Sequence, residues 1–188
     1  MVPVTFWDCG GGLDRAFHCG IQLRADSFAG ERPPCPRNCP GRVHKHGRYF
    51  RYAAPAGDQR ERIQRFRCPK CGLTISILPL TRLPYRPVSV ARLQAFLDSQ
   101  AGIGSGLDPP PGALEAGCLH RAWARFQTRG RILQDAFGLL VASVISRAAD
   151  LWTQMRRAKE SLEGILHFLA QSGKHSLLGD YRCLRLPA

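Results

Sequence analysis

Two pairs of cysteines carry the clearest chemistry in this 188-residue chain: Cys35-Pro-Arg-Asn-Cys39 and Cys68-Pro-Lys-Cys71-Gly72, with 28 residues between them. Two cysteines two or three residues apart on a tight turn aim both thiolates at one point. A hairpin between two such turns brings four of them around a tetrahedral ion. Zinc is the default occupant, since it favours sulfur ligands and needs no redox partner. Such a site also contributes folding free energy to a module of about 45 residues whose own core would be marginal. The spacing leaves rivals open. His44 and His46 could replace Cys35 or Cys39, and as alternating residues of a strand they would share one side. Beside Lys45 and Arg48 they equally suit an exposed basic strand. Cys9, His18 and Cys19 are candidates for a second site, whereas Cys118 and Cys183 read as packing residues. A thiol redox role for Cys68 and Cys71 finds no thioredoxin-like βαβ pattern around it.

The charge gathers around these cysteines. The chain holds 27 Lys+Arg against 14 Asp+Glu, a formal charge of +13. Residues 32–96 contain 14 basic and two acidic side chains, so +12 of the excess lies in one third of the chain. That imbalance favours a polyanionic partner, nucleic acid or an acidic membrane surface. Of the 27 cations 23 are Arg, which suits bidentate contacts to phosphate and guanine. A GC-rich genome would also raise Arg, but it would not cluster it. Hydrophobic residues make up 44%, which excludes wholesale disorder. The start of the chain lacks the pattern of a secretory signal. Its longest apolar stretch, Phe137 to Ile145, is far below the roughly 20 residues of a membrane span. These features predict a cytoplasmic protein, nucleoid-associated if it binds DNA, with thiols reduced and no membrane partner.

The elements that must position the cysteines can be read from period and punctuation. Residues 1–31 offer a short strand over Val2 to Trp7 and little else. Over 32–80, Arg48–Tyr52 and Arg60–Arg67 flank the turn-rich segment 54–58, a hairpin pattern, and Leu73, Ile75 and Ile77 alternate as a half-buried strand. After a linker from Pro79 to Pro87 the period becomes helical. Ser89 is a candidate N-cap for a helix over 90–100. Loop 102–112 leads to a helix over 113–128, with a break expected near Gly117. In that helix Leu119, Trp123 and Phe126 share a narrow arc, with Arg121, Arg125 and Arg129 opposite. Apolar residues from Ile132 to Ile145 predict a helix over 131–150, extending toward Lys159. A last helix begins near Ser161 with Gly173 as C-cap. The resulting domains are 1–31, 32–80, 88–130, 131–173 and a tail, 174–188.

Three runs carry a resemblance: Cys35 through Tyr49; Gln64 through Ser76, containing Arg-Phe-Arg-Cys68-Pro-Lys-Cys71-Gly; and Leu83-Pro-Tyr-Arg-Pro87. Together they resemble the N-terminal zinc ribbon of insertion-sequence transposases, in particular a poorly characterised transposase-like group that joins this ribbon to a helix-turn-helix. The likeness spans about residues 33–87 and weakens toward 130. It implies Cys35, Cys39, Cys68 and Cys71 as zinc ligands and the helix containing Leu119 to Phe126 as the second helix of the helix-turn-helix. The chain departs from the pattern in having C-x3-C where C-x2-C is usual, and in the Pro-rich loop 108–112 where a short first helix is expected.

The fold class that follows is a small β zinc ribbon succeeded by an all-α region, helix-turn-helix-like and then C-terminal helices. A ribonuclease-H-like nuclease needs three carboxylates on an α/β core, and the acids after residue 97 lie in helical or loop text, so the reading is not an enzyme. The expected function is zinc-dependent DNA binding, transposase-derived or accessory to a mobile element. Arg42, Lys45, Arg48, Arg51, Arg62, Arg65 and Arg67 would hold phosphates, and His120, Arg121 and Arg125 would read bases. Tyr49, Phe50, Tyr52 and Phe66, interleaved with these cations, read as packing residues ahead of base-stacking platforms. The partner would be duplex DNA. The alternative is an RNA- or protein-binding subunit of a larger complex, with residues 131–172 engaging a protein or a second copy.

Overall fold

The computed structural model describes residues 5–8, 20–24, 32–35, 37–52, 60–78, 81–83, 87–138, 147–172, 176–179 and 182–184. Their architecture is mixed α/β. In chain order the strands are β1 (Thr5–Asp8), β2 (Gly20–Arg24), β3 (His44–Tyr52), β4 (Arg60–Arg67) and β5 (Thr74–Leu78); five helices follow, and then β6 (Arg182–Leu184). The helices are α1 (Val90–Gln100), α2 (Ala113–Thr128), α3 (Gly130–Ala136), α4 (Ala148–Lys159) and α5 (Leu162–Ser172).

The Arg- and aromatic-rich hairpin pattern yields the antiparallel pair β3–β4, and the alternating segment adds β5 antiparallel to β4. This three-strand sheet is longer than expected on both sides of the sequence. Strand β2 pairs parallel with β5, β1 pairs antiparallel with β2, and β6 pairs antiparallel with β1. The order β3-β4-β5-β2-β1-β6 adds Thr5–Asp8 and Gly20–Arg24 from before the hairpin and Arg182–Leu184 from the tail to the sheet, while the described elements from Val90 to Ser172 are all helices, as expected. Parallel pairing of β2 with β5 satisfies the second edge of β5, whose Ile75 and Leu78 are fully buried. A central strand so placed is covered on both edges, and the outer strands of the sheet are β3 and β6.

A β-bulge between Lys45 and Gly47 interrupts the β3–β4 register. His46 is the extra residue, so His44 and His46 do not keep the simple alternation of a strand.

The helices share one apolar core, built from Leu93, Phe96 and Leu97 of α1, Leu119 and Phe126 of α2, Leu133 of α3, Trp152 and Met155 of α4, and Leu162, Ile165, Leu166 and Leu169 of α5. Ser89 caps α1, its Oγ accepting from the Arg92 amide at 3.2 Å. Ser161 caps α5 in the same way through the Gly164 amide at 3.0 Å. Two partly buried ion pairs clamp the bundle. Arg92 donates to Glu115 Oε1 and Oε2 at 2.9 and 2.7 Å and to the Pro109 carbonyl at 2.8 Å, joining α1, α2 and the loop between them. Asp98 accepts from Trp152 Nε1 at 2.7 Å and from Arg156 Nε at 3.0 Å, joining α1 to α4. Within and just after the segment read as a linker, described residues tie the sheet to the helices: Arg82 is buried, forks onto Glu61 of β4 at 2.6 and 2.9 Å, and bridges to Ser89, while Leu83 and Val88 enter the helical core.

Two helical expectations change. Helix α2 runs through Gly117 without a break. The helix expected over 131–150 is instead two: α3 ends at Ala136, Gly138 takes φ +60°, and α4 starts at Ala148. That left-handed conformation is open to glycine at little cost and terminates a helix. Residues 139–146, the turn 54–58, Cys9, His18, Cys19 and the expected C-cap Gly173 lie outside the described residues.

Candidate metal centre

The first cysteine pair stands on a turn in which the Asn38 amide donates to the Cys35 carbonyl at 2.9 Å and Asn38 itself adopts φ 52°. Asparagine tolerates this region better than most side chains, so the extra residue of C-x3-C is absorbed at Asn38 and Cys39 still turns back toward Cys35. In the second pair the Gly72 amide donates to the Cys68 carbonyl and the Cys68 amide to the Leu73 carbonyl, both at 2.9 Å, with Gly72 at φ +71°. A side chain at Gly72 would strain this turn, which is why glycine follows the pair directly.

The two turns bring all four sulfurs together. The Sγ atoms of Cys35, Cys39, Cys68 and Cys71 lie within 4.8 Å of one another, and Cys35 and Cys71 are 3.7 Å apart. Four sulfurs at about 2.3 Å from a tetrahedral ion would sit about 3.8 Å apart, whereas a disulfide would require about 2.05 Å. The separation therefore fits a shared ion and not a covalent bond. Val43, Phe66 and Ile75 pack around Cys35 and Cys68 and shut water from the inner side, while Cys39 and Cys71 are only partly covered. Among the described residues these four form the group of His, Cys, Asp or Glu side chains able to hold a metal ion. His44 and His46 are exposed and stand outside it.

The backbone prepares one of the thiols. The Cys68 thiol is pulled down to about 6, first by hydrogen bonding from the Cys71 amide and then from that of Lys70, against the effect of burial. Cys39 is pushed up to about 12, chiefly by its hydrogen bond with Cys71, and burial raises Cys71. A cluster of neutral and charged thiols at this spacing is a site whose anionic form a divalent cation would favour.

The cations expected on phosphate divide between two faces of the sheet. Residues directly opposite in an antiparallel pair project to the same side. The register Lys45↔Phe66, Arg48↔Gln64 and Phe50↔Arg62 puts Lys45, Arg48 and Arg62 on the face that carries Phe66 and the cysteine cluster, together with Arg60. Arg51, Arg65 and Arg67 fall on the opposite face, where Ile63 and Leu78 are buried and Arg65 stacks over the Tyr49 ring at 5.7 Å. Arg42 is exposed in the loop before β3. Gln64 organises the first face, since its Nε2 donates to the Gly47 and Arg65 carbonyls at 2.7 and 2.9 Å and its Oε1 accepts from Arg48 Nε at 3.3 Å. Sequence reasoning passed over Gln64 and Arg60; the alternation of β4, read from Phe66 backward, would have placed both beside the other cations.

No family model, curated protein or solved structure matches this chain. On α2, His120, Arg121 and Arg125 are exposed, as the helical arc requires. His120 packs edge-on against Phe96 at 5.3 Å, and Arg121 Nη2 lies 3.3 Å from Cys118 Sγ. Glu115, the acid nearest to them in sequence, is taken by Arg92. The connection from α1 to α2 spans residues 101–112, far longer than the three or four residues of a DNA-binding helix-turn-helix.

Proposed function

We propose that the protein is a zinc-dependent DNA-binding protein, transposase-derived or accessory to a mobile element, that acts by binding and not by strand cleavage. The observation that carries this reading is the convergence of four cysteine sulfurs within 4.8 Å of one another on a sheet crowded with arginine. In it zinc is structural: Cys35, Cys39, Cys68 and Cys71 hold it, all four positions are filled by protein, and none is left for substrate. The ion fixes the loop 32–43 and the start of β5 against the hairpin, and the cations of β3 and β4 then meet the phosphates of duplex DNA as a rigid array. Phosphate contacts of this kind set position and affinity without reading sequence. Base reading falls to the exposed side chains of α2, His120, Arg121 and Arg125.

The test joins metal content to binding. The purified protein should carry about one zinc per chain, and Cys68→Ser should lose both the zinc and the salt-sensitive binding to a DNA duplex. Undiminished zinc in that variant overturns the ligand set, and displacement of the duplex by structured RNA at lower concentration than by competing duplex would turn the reading toward RNA.

A further inference from the structure

Phe50 is 65% exposed near the end of β3. A single exposed apolar side chain is ordinary on a protein surface, but the surroundings of this one are not. Arg48 stands two residues before it on the same face, about 7 Å along the strand. Arg62 stands directly across on β4, about 5 Å away. Of the other aromatics of the hairpin, Phe66 is buried against the cysteines and Tyr49 lies on the opposite face under Arg65. Gln64, tied to two backbone carbonyls, holds the Arg48 guanidinium by its Nε. The result is a flat apolar ring set between two exposed guanidinium groups on a rigid pair of strands.

We infer that this half of the sheet face binds an unpaired DNA base, stacked on the Phe50 ring, with the flanking phosphates held by Arg48 and Arg62. The inference rests on the DNA-binding reading above and narrows it. In a continuous duplex both faces of each base are covered by their neighbours, so an exposed ring gains nothing by approaching it. A base freed at a strand end, gap or opened pair presents a π-face, and aromatic stacking between cationic backbone contacts is how single strands are held without sequence preference. The phosphate charge selects a polyanion, and the ring selects one with a base to spare. The site thus favours the junction between duplex and single strand over uninterrupted duplex.

The test compares the zinc-loaded full chain on a short blunt duplex and on the same duplex with a tail of about five unpaired thymidines, by fluorescence anisotropy. Such a tail falls within the roughly 4–16 nucleotides of single-strand sites. The tail should raise affinity about tenfold for the wild type, the scale of one base–aromatic stack. Phe50→Ala should abolish that gain while leaving blunt-duplex affinity and zinc content unchanged, and Phe50→Trp should keep it. Equal binding of blunt and tailed duplexes by the wild type, or a tail gain that survives Phe50→Ala, overturns this inference and leaves the DNA-binding reading standing. A stronger gain from an RNA tail overturns the assignment to DNA. Salt-insensitive or absent binding to both duplexes overturns the DNA-binding reading as well, so the two failures are distinguishable.

Discussion

If the protein binds DNA as proposed, the division of the β3 and β4 cations between two faces sets the salt dependence of that binding. Each phosphate neutralised releases condensed counterions and contributes about −0.9 to the slope of log K against log salt. A rigid duplex docked on the cysteine-bearing face meets Lys45, Arg48, Arg60 and Arg62 and not Arg51, Arg65 or Arg67. Four contacts give a slope of about −3.6, so raising salt from about 50 to about 200 mM weakens binding about 150-fold. Were all seven cations expected from sequence engaged, the slope would be about −6.3 and the loss about 6,000-fold. Anisotropy titrations over that salt range separate the two cases. Arg62→Ala should make the slope shallower by about 0.9, while Arg67→Ala, on the far face, should leave it unchanged. A slope near −6, or equal effects of the two substitutions, would refute the assignment of faces and with it the picture of one docking surface.

Four further outcomes follow from the geometry. Zinc uptake at about pH 7.5 should release fewer than the full four protons, because the Cys68 thiol, pulled down to about 6, is already ionised there; calorimetry in buffers of different ionisation enthalpy counts them. Phe126→Ala removes a fully buried ring from the helical core and should cost about 3–5 kcal/mol in urea unfolding. Glu115→Ala leaves the Arg92 guanidinium without its carboxylate in a site only a quarter exposed and should cost about 2 kcal/mol in the same measurement. Replacing Arg121 and Arg125 together by Ala should broaden the motif recovered by binding-site selection more than it lowers affinity for random duplex; an unchanged motif means that α2 does not read bases.

How far the sequence carried the reading depended on the range of the interaction. Local signals were legible: paired cysteines on turns, the hairpin pattern, the alternation of Leu73 to Ile77, and the serine cap at Ser89, each of which acts over a few residues. The convergence of four sulfurs was also readable, because a hairpin between two turns leaves little choice. The pairing of β2 with β5 and of β1 with β6 was not, since those partners are set by tertiary fit and strands of three to five residues carry too little pattern. The break at Gly138 was hidden for another reason. A glycine inside an apolar helical period costs only about 1 kcal/mol if the helix continues, so its left-handed conformation is decided by packing. The bulge at His46 escaped too, and with it the assignment of the ribbon cations to faces, because one inserted residue reverses every side chain beyond it.

The register Phe6↔Leu184 has a consequence for the order in which the molecule assembles. Emerging from a ribosome, β3 and β4 can pair at once, and the cysteine turns can close as soon as residue 71 is free, because their partners lie close along the chain. Strand β1 must wait for β6, which follows it by more than 170 residues. During that interval its outer backbone edge is unpaired and able to accept a strand from another chain. The outer edge of β1 is thereby open throughout the synthesis of α1 to α5, and it is covered only when β6 pairs with it.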